Sequence, residues 1–230
     1  MLIGGLLKFS LIDYPGKVAA VIFTQGCNYR CPFCHNPALV LPELFTASID
    51  VAEVMAFLHK RRGQLQGIVI TGGEPTLHPD LKEFIRTIKQ MGFLVKLDTN
   101  GSRQDVLKDI LSEKLVDYVA MDIKSSLEGY CKASGVAVDL ESVKASIALI
   151  KASGVDYSFR TTAVRNFVSP EDLKAIGVLL DNPLRYKLQR GNLSGKVLDP
   201  GIQDGPHDFS DDEWAAMQNV YAGIERKLKE

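Results

Sequence analysis

Tryptophan appears once and cysteine four times in this chain of 230 residues, and charge of neither sign prevails: 27 Lys and Arg stand against 28 Asp and Glu. The formal charge of -1 removes any global reason to expect nucleic acid or an anionic membrane as partner. Long apolar runs are scarce too. Near the start the longest is VAAVIF, Val18 to Phe23, far short of the ~20 residues that a membrane span requires. The opening MLIGGLLKFSLIDYPG lacks the basic segment and apolar core of a secretory signal, so a cytoplasmic protein is expected. No repeat, low-complexity tract or composition break marks a linker. Residues 1–230 are therefore expected to form one domain, with a core over about 15–190 and a loop and helix over 191–230. A chain of this length buries roughly 70–75% of its unfolded surface and needs neither disulfide nor metal to stay folded.

The few cysteines are not scattered. Cys27, Cys31 and Cys34 lie in TQGCNYRCPFCHNP, spaced C-x3-C-x2-C. A reducing cytoplasm disfavours disulfides, and three thiols leave one unpaired, which points to metal or cluster binding. Thiolates are soft ligands that suit iron–sulfur clusters and zinc alike. A four-iron cluster ordinarily takes four cysteines, so three leave one iron open to an external chelator. Zinc needs a fourth ligand, and His35, adjacent to Cys34, is poorly placed to close the same tetrahedron. Both readings stay open at this level. Cys131 stands alone and reads as a plain, partly buried thiol, and His59, His78 and His207 read as surface or cap residues.

Short apolar runs alternate with amphipathic segments along the chain. Residues 18–23, 67–71, 94–98, 118–122, 157–164 and 186–189 read as buried strands. Helices are predicted over 48–62, 79–91, 103–113 and around 140–150 from their spacing of apolar residues. Two more open with recognisable caps: SPED, where Ser169 precedes Pro170, and SDDE, a capping box from Ser210 to Glu213. The stripe Trp214, Met217, Tyr221, Ile224 and Leu228 belongs to the last of these. Six strand–helix units imply an α/β fold with a parallel sheet, and a partial (β/α)6 barrel is the expected architecture. Gly191 to Asp208, rich in Gly, Pro and Asp, reads as a surface excursion.

Unusual residues gather where these strands end. The three cysteines follow the first strand, GGEP (Gly72 to Pro75) the second and DTNG (Asp98 to Gly101) the third. DIK (Asp122 to Lys124) ends the fourth, and Arg160 lies in the fifth. Sites in parallel α/β folds form beyond the carboxyl ends of strands, so all of these are expected at one mouth. GGEP combines two glycines that admit close backbone approach with the anion of Glu74, a pattern that suits an ammonium group; an ordinary tight turn is the simpler alternative. Lys124 and Arg160 suit a carboxylate, and Asp98 and Asp122 suit hydroxyl or amino groups; an internal salt-bridge network is the alternative.

CNYRCPFC followed by GGEP resembles the radical S-adenosylmethionine enzymes, and DTNG with DIK narrows the resemblance to activating enzymes of glycyl-radical enzymes. LIDYPGK with CNYRCPFCHNP is similar to the activating proteins of anaerobic ribonucleoside-triphosphate reductase, over roughly residues 4–190. The resemblance implies that Cys27, Cys31 and Cys34 hold a 4Fe–4S cluster whose fourth iron is chelated by S-adenosylmethionine. It implies Gly72, Gly73 and Glu74 at the methionine amine with Asp98 beside them, and Asn100 among the cofactor contacts. Lys124 and Arg160 are implied near carboxylate and ribose, Asp122 on the ribose or amine, and Phe33 and Thr162 around the adenine. A monovalent cation at Asp98, Thr99 and Asp122 is a further implication. Reduced flavodoxin or ferredoxin would supply the electron, and a glycine of the partner enzyme would lose a hydrogen. Between Cys34 and Gly72 there is no room, and no cysteine, for an inserted ferredoxin-like unit. A radical enzyme acting on a small molecule, as the deazaguanine-forming relatives do, is the runner-up, and a zinc-binding or electron-transfer protein is the remote alternative.

Overall fold

The computed structural model describes residues 1–181, 185–203 and 208–226. Seven strands form one sheet in chain order: β1 (Ile3–Ser10), β2 (Ala19–Thr24), β3 (Gly67–Gly72), β4 (Leu94–Thr99), β5 (Tyr118–Asp122), β6 (Asp156–Ala163) and β7 (Tyr186–Arg190). The last six are the strands expected from the apolar runs. Pairs β2/β3, β3/β4 and β6/β7 are parallel, in unbroken register. Strand β1 was not anticipated. It runs antiparallel to β2 with irregularities at Ile3/Gly5 and Leu7/Ser10. Its burial does not alternate cleanly, and Leu7 and Phe9 are exposed, so neither periodicity that identifies a half-buried or buried strand is present.

Eight α-helices accompany the strands among the described residues: α1 (Pro37–Val40), α2 (Val51–Lys60), α3 (Leu81–Gln90), α4 (Gln104–Ser112), α5 (Tyr130–Ser134), α6 (Leu140–Ala152), α7 (Pro170–Leu180) and α8 (Asp211–Arg226). Each predicted helix is present; α2, α3 and α4 are one to three residues shorter at each end than expected, and α6 runs on to Ala152. Asp50 accepts from the Ala52 N–H at 2.8 Å and starts α2. Ser169 and Asp172 form a reciprocal capping box on α7, as do Ser210 and Glu213 on α8. Leu228 and His207 lie outside the described residues. No described helix is long and apolar enough to cross a membrane.

The chain groups into two compact units. The first comprises Met1–Asn28, Ala38–Ala120 and Glu141–Tyr157; the second comprises Tyr29–Pro37, Met121–Leu140 and Ser158–Glu230. In the first unit, one sheet face carries Ala19, Val21 and Val69 against Tyr14, flanked by Phe23, Leu94 and Tyr118. The Tyr14 and Tyr118 rings meet at 6.0 Å, and burial beside Asp117 and Asp156 pushes the Tyr14 hydroxyl up to about 12. The opposite face buries Ala20, Ile22, Ile68, Ile70, Val95 and Leu97 completely. Strands buried on both faces explain the continuous apolar runs in the sequence. In the second unit Tyr186 of β7 stacks 5.7 Å from Tyr221 of α8, whose hydroxyl donates to the Tyr186 carbonyl at 2.6 Å.

Candidate functional site

In the first unit the GGEP turn clamps the start of the cysteine loop. Gly72 closes β3 at φ 116°, and a Cβ there would stand 2.3 Å from the Thr24 nitrogen. A Cβ on Gly73 would meet the Gly26 carbonyl oxygen at 2.0 Å. The obstacles are backbone, so glycine is a steric requirement at both positions. The N–H groups of Gly73 and Glu74 donate to the carbonyls of Thr24 and Gly26 at 2.9 and 2.8 Å, which pins the residues just before Cys27. Gly73→Ala must push this contact apart and is expected to cost about 2–3 kcal/mol, read as a lower denaturation midpoint at unchanged m-value.

Glu74 is fully buried and faces inward. Its Oε1 accepts from the Thr76 N–H (3.1 Å), the Thr76 hydroxyl (2.5 Å) and the Thr99 hydroxyl (2.7 Å), and its Oε2 accepts from the Asn100 N–H (2.6 Å). Burial pushes this carboxyl up, against the hydrogen bonds of Thr76, Asn100 and Thr99, which favour its ionised form. Thr99 passes the chain of bonds on by accepting from the Gly101 N–H at 3.1 Å. Asn100 Nδ2 donates to Asn28 Oδ1 at 2.9 Å, and Asn28 Nδ2 donates to the Ser102 hydroxyl at 2.9 Å. The DTNG segment thus ties down the residue after Cys27. The Glu74 side chain joins β3 to the end of β4, with three donors on Oε1 and one on Oε2.

Asp98 and Lys96 lie two residues apart on β4 and so share a sheet face. They form an ion pair of 2.6 Å, Lys96 Nζ to Asp98 Oδ1, with the lysine side chain 5% and the aspartate 13% exposed. The expected monovalent-cation donors are therefore engaged within the protein: Asp98 by Lys96, Thr99 by Glu74 and Gly101, and Asp122 by two cations of its own unit.

In the second unit Asp122, at the end of β5, receives Lys124 Nζ at 3.1 Å and the Arg160 guanidinium at 2.9 Å through both Nε and its terminal nitrogen. Burial drives the Asp122 carboxyl up, but the Arg160 and Lys124 charges outweigh it and hold it far below the usual carboxylate range. Burial works against the Lys124 cation, and Asp122 and Cys31 reverse that and raise it. The salt-bridge network weighed as an alternative is thus present, and both cations remain charged. Arg160 and Thr162 share one face of β6 by their spacing. Phe33 is buried and meets Phe167 edge-on at 5.4 Å.

Cys31 and Cys34 occupy one turn, closed by the Cys34 N–H on the Cys31 carbonyl at 3.0 Å. Cys31 is buried, and burial raises its thiol while Lys124 opposes the rise. The loop is braced from two sides. The Arg30 N–H donates to the Ser134 carbonyl at 2.8 Å, where Gly135 at φ 70° lets the backbones touch. The N–H groups of Leu198 and Asp199 donate to the carbonyls of Cys34 and Pro32 at 2.9 and 3.0 Å. The segment after Gly191 is consequently more than a surface excursion, and it buries Leu193, Val197 and Ile202. Its Gly and Pro content signals irregular backbone but carries no sign of what that backbone holds.

Other residues fall outside this arrangement. His35 and His59 are exposed, and His78 caps a short turn with its ring nitrogen 3.0 Å from the Gln25 carbonyl. Cys131 is exposed, where a partly buried thiol was expected. None of the four cysteines forms a disulfide. Among the described residues no three His, Cys, Asp or Glu side chains are gathered to hold a single metal ion. Within the second unit, Cys31 and Cys34 are soft sulfur donors on one braced turn, with Cys31 beside the buried Lys124 cation, a chemistry that fits an iron–sulfur cluster.

Comparison with known proteins agrees with this geometry. A Methanocaldococcus jannaschii protein described as a "putative glycyl-radical enzyme activating enzyme" is 36% identical over 82% of this chain and 79% of its own. The 7-carboxy-7-deazaguanine synthase of Methanopyrus kandleri is 32% identical over 50% of this chain and 53% of its own. The pyruvate formate-lyase-activating enzyme of Clostridium pasteurianum is 31% identical over 51% of this chain and 50% of its own. The chain thus spans about half the length of these last two relatives. Among solved structures, the Escherichia coli coproporphyrinogen III oxidase HemN, a radical SAM enzyme, superposes with a TM-score of 0.64 at 14% identity, over 94% of this chain and 54% of that one. This likeness shows the fold, the partial barrel of that enzyme class. The radical SAM superfamily model matches residues 21–177, which include all three clustered cysteines, GGEP, DTNG, DIK and Arg160. The chain therefore belongs to the radical SAM superfamily, enzymes that use a 4Fe–4S cluster and S-adenosylmethionine.

Proposed function

We propose that the chain, acting as one catalytic domain in the cytoplasm, activates a glycyl-radical enzyme, and that its target is an anaerobic ribonucleoside-triphosphate reductase. The observation that carries the reading is the similarity to an activating-enzyme relative along most of both chains. The target is chosen on LIDYPGK together with CNYRCPFCHNP. Reduced flavodoxin or ferredoxin is the proposed electron donor.

When bound, the cluster and S-adenosylmethionine supply one-electron reduction of a carbon–sulfur bond and, through it, abstraction of hydrogen. Cys27, Cys31 and Cys34 hold the cluster in this reading. The backbone of Gly72 and Gly73, with Asp98, receives the methionine amine, while Glu74 acts as a strut whose bonds keep that backbone in place. Lys124 and Arg160 present their cations to the carboxylate and ribose, already oriented by Asp122. Phe33 and Thr162 border the adenine, and Asn100 fixes the loop through Asn28. No general base is needed, since the substrate hydrogen leaves with one electron, not as a proton.

Anaerobic incubation with reductant, S-adenosylmethionine and the large subunit of an anaerobic reductase is expected to yield methionine, 5′-deoxyadenosine and a glycyl signal by electron paramagnetic resonance. Cleavage with no glycyl signal from any glycyl-radical partner favours a small-molecule substrate, the reading supported by the deazaguanine synthase relative. Absence of cleavage by reconstituted protein overturns both.

A further inference from the structure

Parallel register aligns Val21 of β2, Val69 of β3 and Lys96 of β4 in one row on the same sheet face. Lysine is thus set where its neighbours are valines, and it is 4% exposed. An ammonium in such a row is retained only with a counter-charge, because a buried unpaired cation is strongly disfavoured. Its partner is Asp98, the next residue along β4 on that face, one residue before the strand ends.

We infer that Lys96 is a positioning residue for Asp98: its ammonium is a built-in cation that orients the carboxylate toward S-adenosylmethionine and makes an external monovalent cation unnecessary there. The inference rests on the functional reading above. Three observations converge on it. The ion pair is short, 2.6 Å, and nearly enclosed, so salt and water screen it little. It places the ammonium against Oδ1, the buried oxygen of Asp98, so the charge contact compensates that atom. And the neighbouring hydroxyl, Thr99, is committed to Glu74 and Gly101, leaving Lys96 as the cation that neutralises this strand end among the contacts on β4. A lysine at this depth is a costly choice for packing alone, since methionine fills the same row without a charge to compensate.

The test uses reconstituted full-length protein with S-adenosylmethionine binding measured by equilibrium dialysis, in buffers whose only monovalent cation is potassium or the bulky tetramethylammonium. Wild type is expected to bind equally in both. Lys96→Met should fold, because it continues the valine row. In tetramethylammonium it should bind roughly tenfold more weakly, about 1.4 kcal/mol. Potassium or ammonium should restore most of that loss, and in turnover KM should rise more than kcat falls. Lys96→Arg, which returns the charge, should recover binding without added cation. Unaltered binding by Lys96→Met overturns the inference. So does loss of binding by wild type when potassium is withdrawn, or a Lys96→Met defect that neither small cations nor arginine repairs, which marks a packing fault. Wild-type protein that neither binds nor cleaves S-adenosylmethionine refutes the functional reading itself, an outcome distinct from all three.

Discussion

Cys31→Ala is expected to abolish cleavage of S-adenosylmethionine and leave the fold standing. The two halves of this result rest on separate physics. Chemistry fails because three thiolates hold the proposed cluster and two cannot, so the variant emerges from anaerobic reconstitution without the brown iron–sulfur absorption and with no detectable 5′-deoxyadenosine. The fold survives because the loop is held by backbone. The Cys34 N–H still reaches the residue 31 carbonyl, the Arg30 N–H still reaches Ser134, and Leu198 and Asp199 still reach Cys34 and Pro32. Alanine removes one small buried group and takes away a thiol whose ionised form was disfavoured by burial. The destabilisation should be about 1 kcal/mol, a shift of roughly 2–4 °C in thermal midpoint for a chain of this size. Cys131→Ala serves as the control, since that thiol is exposed and remote in sequence from the motif. Retained cleavage by Cys31→Ala would sink the cluster assignment. Loss of the far-ultraviolet circular dichroism signal would sink the claim that the chain folds on its own core.

Legibility in the sequence followed how local each feature is. Strands β2 to β5 announce themselves because burial on both faces demands unbroken apolar runs, and caps such as Ser169 with Asp172 are set within four residues. Strand β1 hid because Leu7 and Phe9 point outward and two glycines break its pattern. The candidate residues were found by type and by their position at strand ends, yet their partners were not. That Glu74 turns inward depends on Thr76, Thr99 and Asn100 together, a contact spanning 26 positions. That Asn28 bonds Asn100 and Ser102 spans more than 70. Lys96 carried a readable sign: a lysine inside LVKLD, a run otherwise buried, has to find an anion, and Asp98 is the one in phase with it. The brace from Leu198 and Asp199 carried none, because a main-chain donor leaves no mark on residue identity.

Glu74→Ala is expected to lose both stability and cluster. The carboxylate is inaccessible to solvent and satisfies two backbone N–H groups and two hydroxyls. The hydroxyls can turn elsewhere, but the N–H groups of Thr76 and Asn100 cannot, and each buried orphan costs about 1–3 kcal/mol. Adding the cavity left by the side chain gives a destabilisation of roughly 3–5 kcal/mol, measurable as a lower urea midpoint. Glu74→Gln separates shape from charge. Its carbonyl oxygen can still serve the three donors gathered on Oε1, but its amide then faces the Asn100 N–H, donor against donor, so an intermediate cost of about 1–3 kcal/mol is expected. The consequence for function follows from what Asn100 holds. Once its backbone is released, its side chain no longer fixes Asn28, and the residue after Cys27 loses one of its ties. Iron bound per chain after anaerobic reconstitution should therefore fall in the order wild type, Gln, Ala, in step with the urea midpoint. Full cluster content in Glu74→Ala at a lowered midpoint would separate the two and show that Glu74 stabilises the fold without organising the cysteine loop.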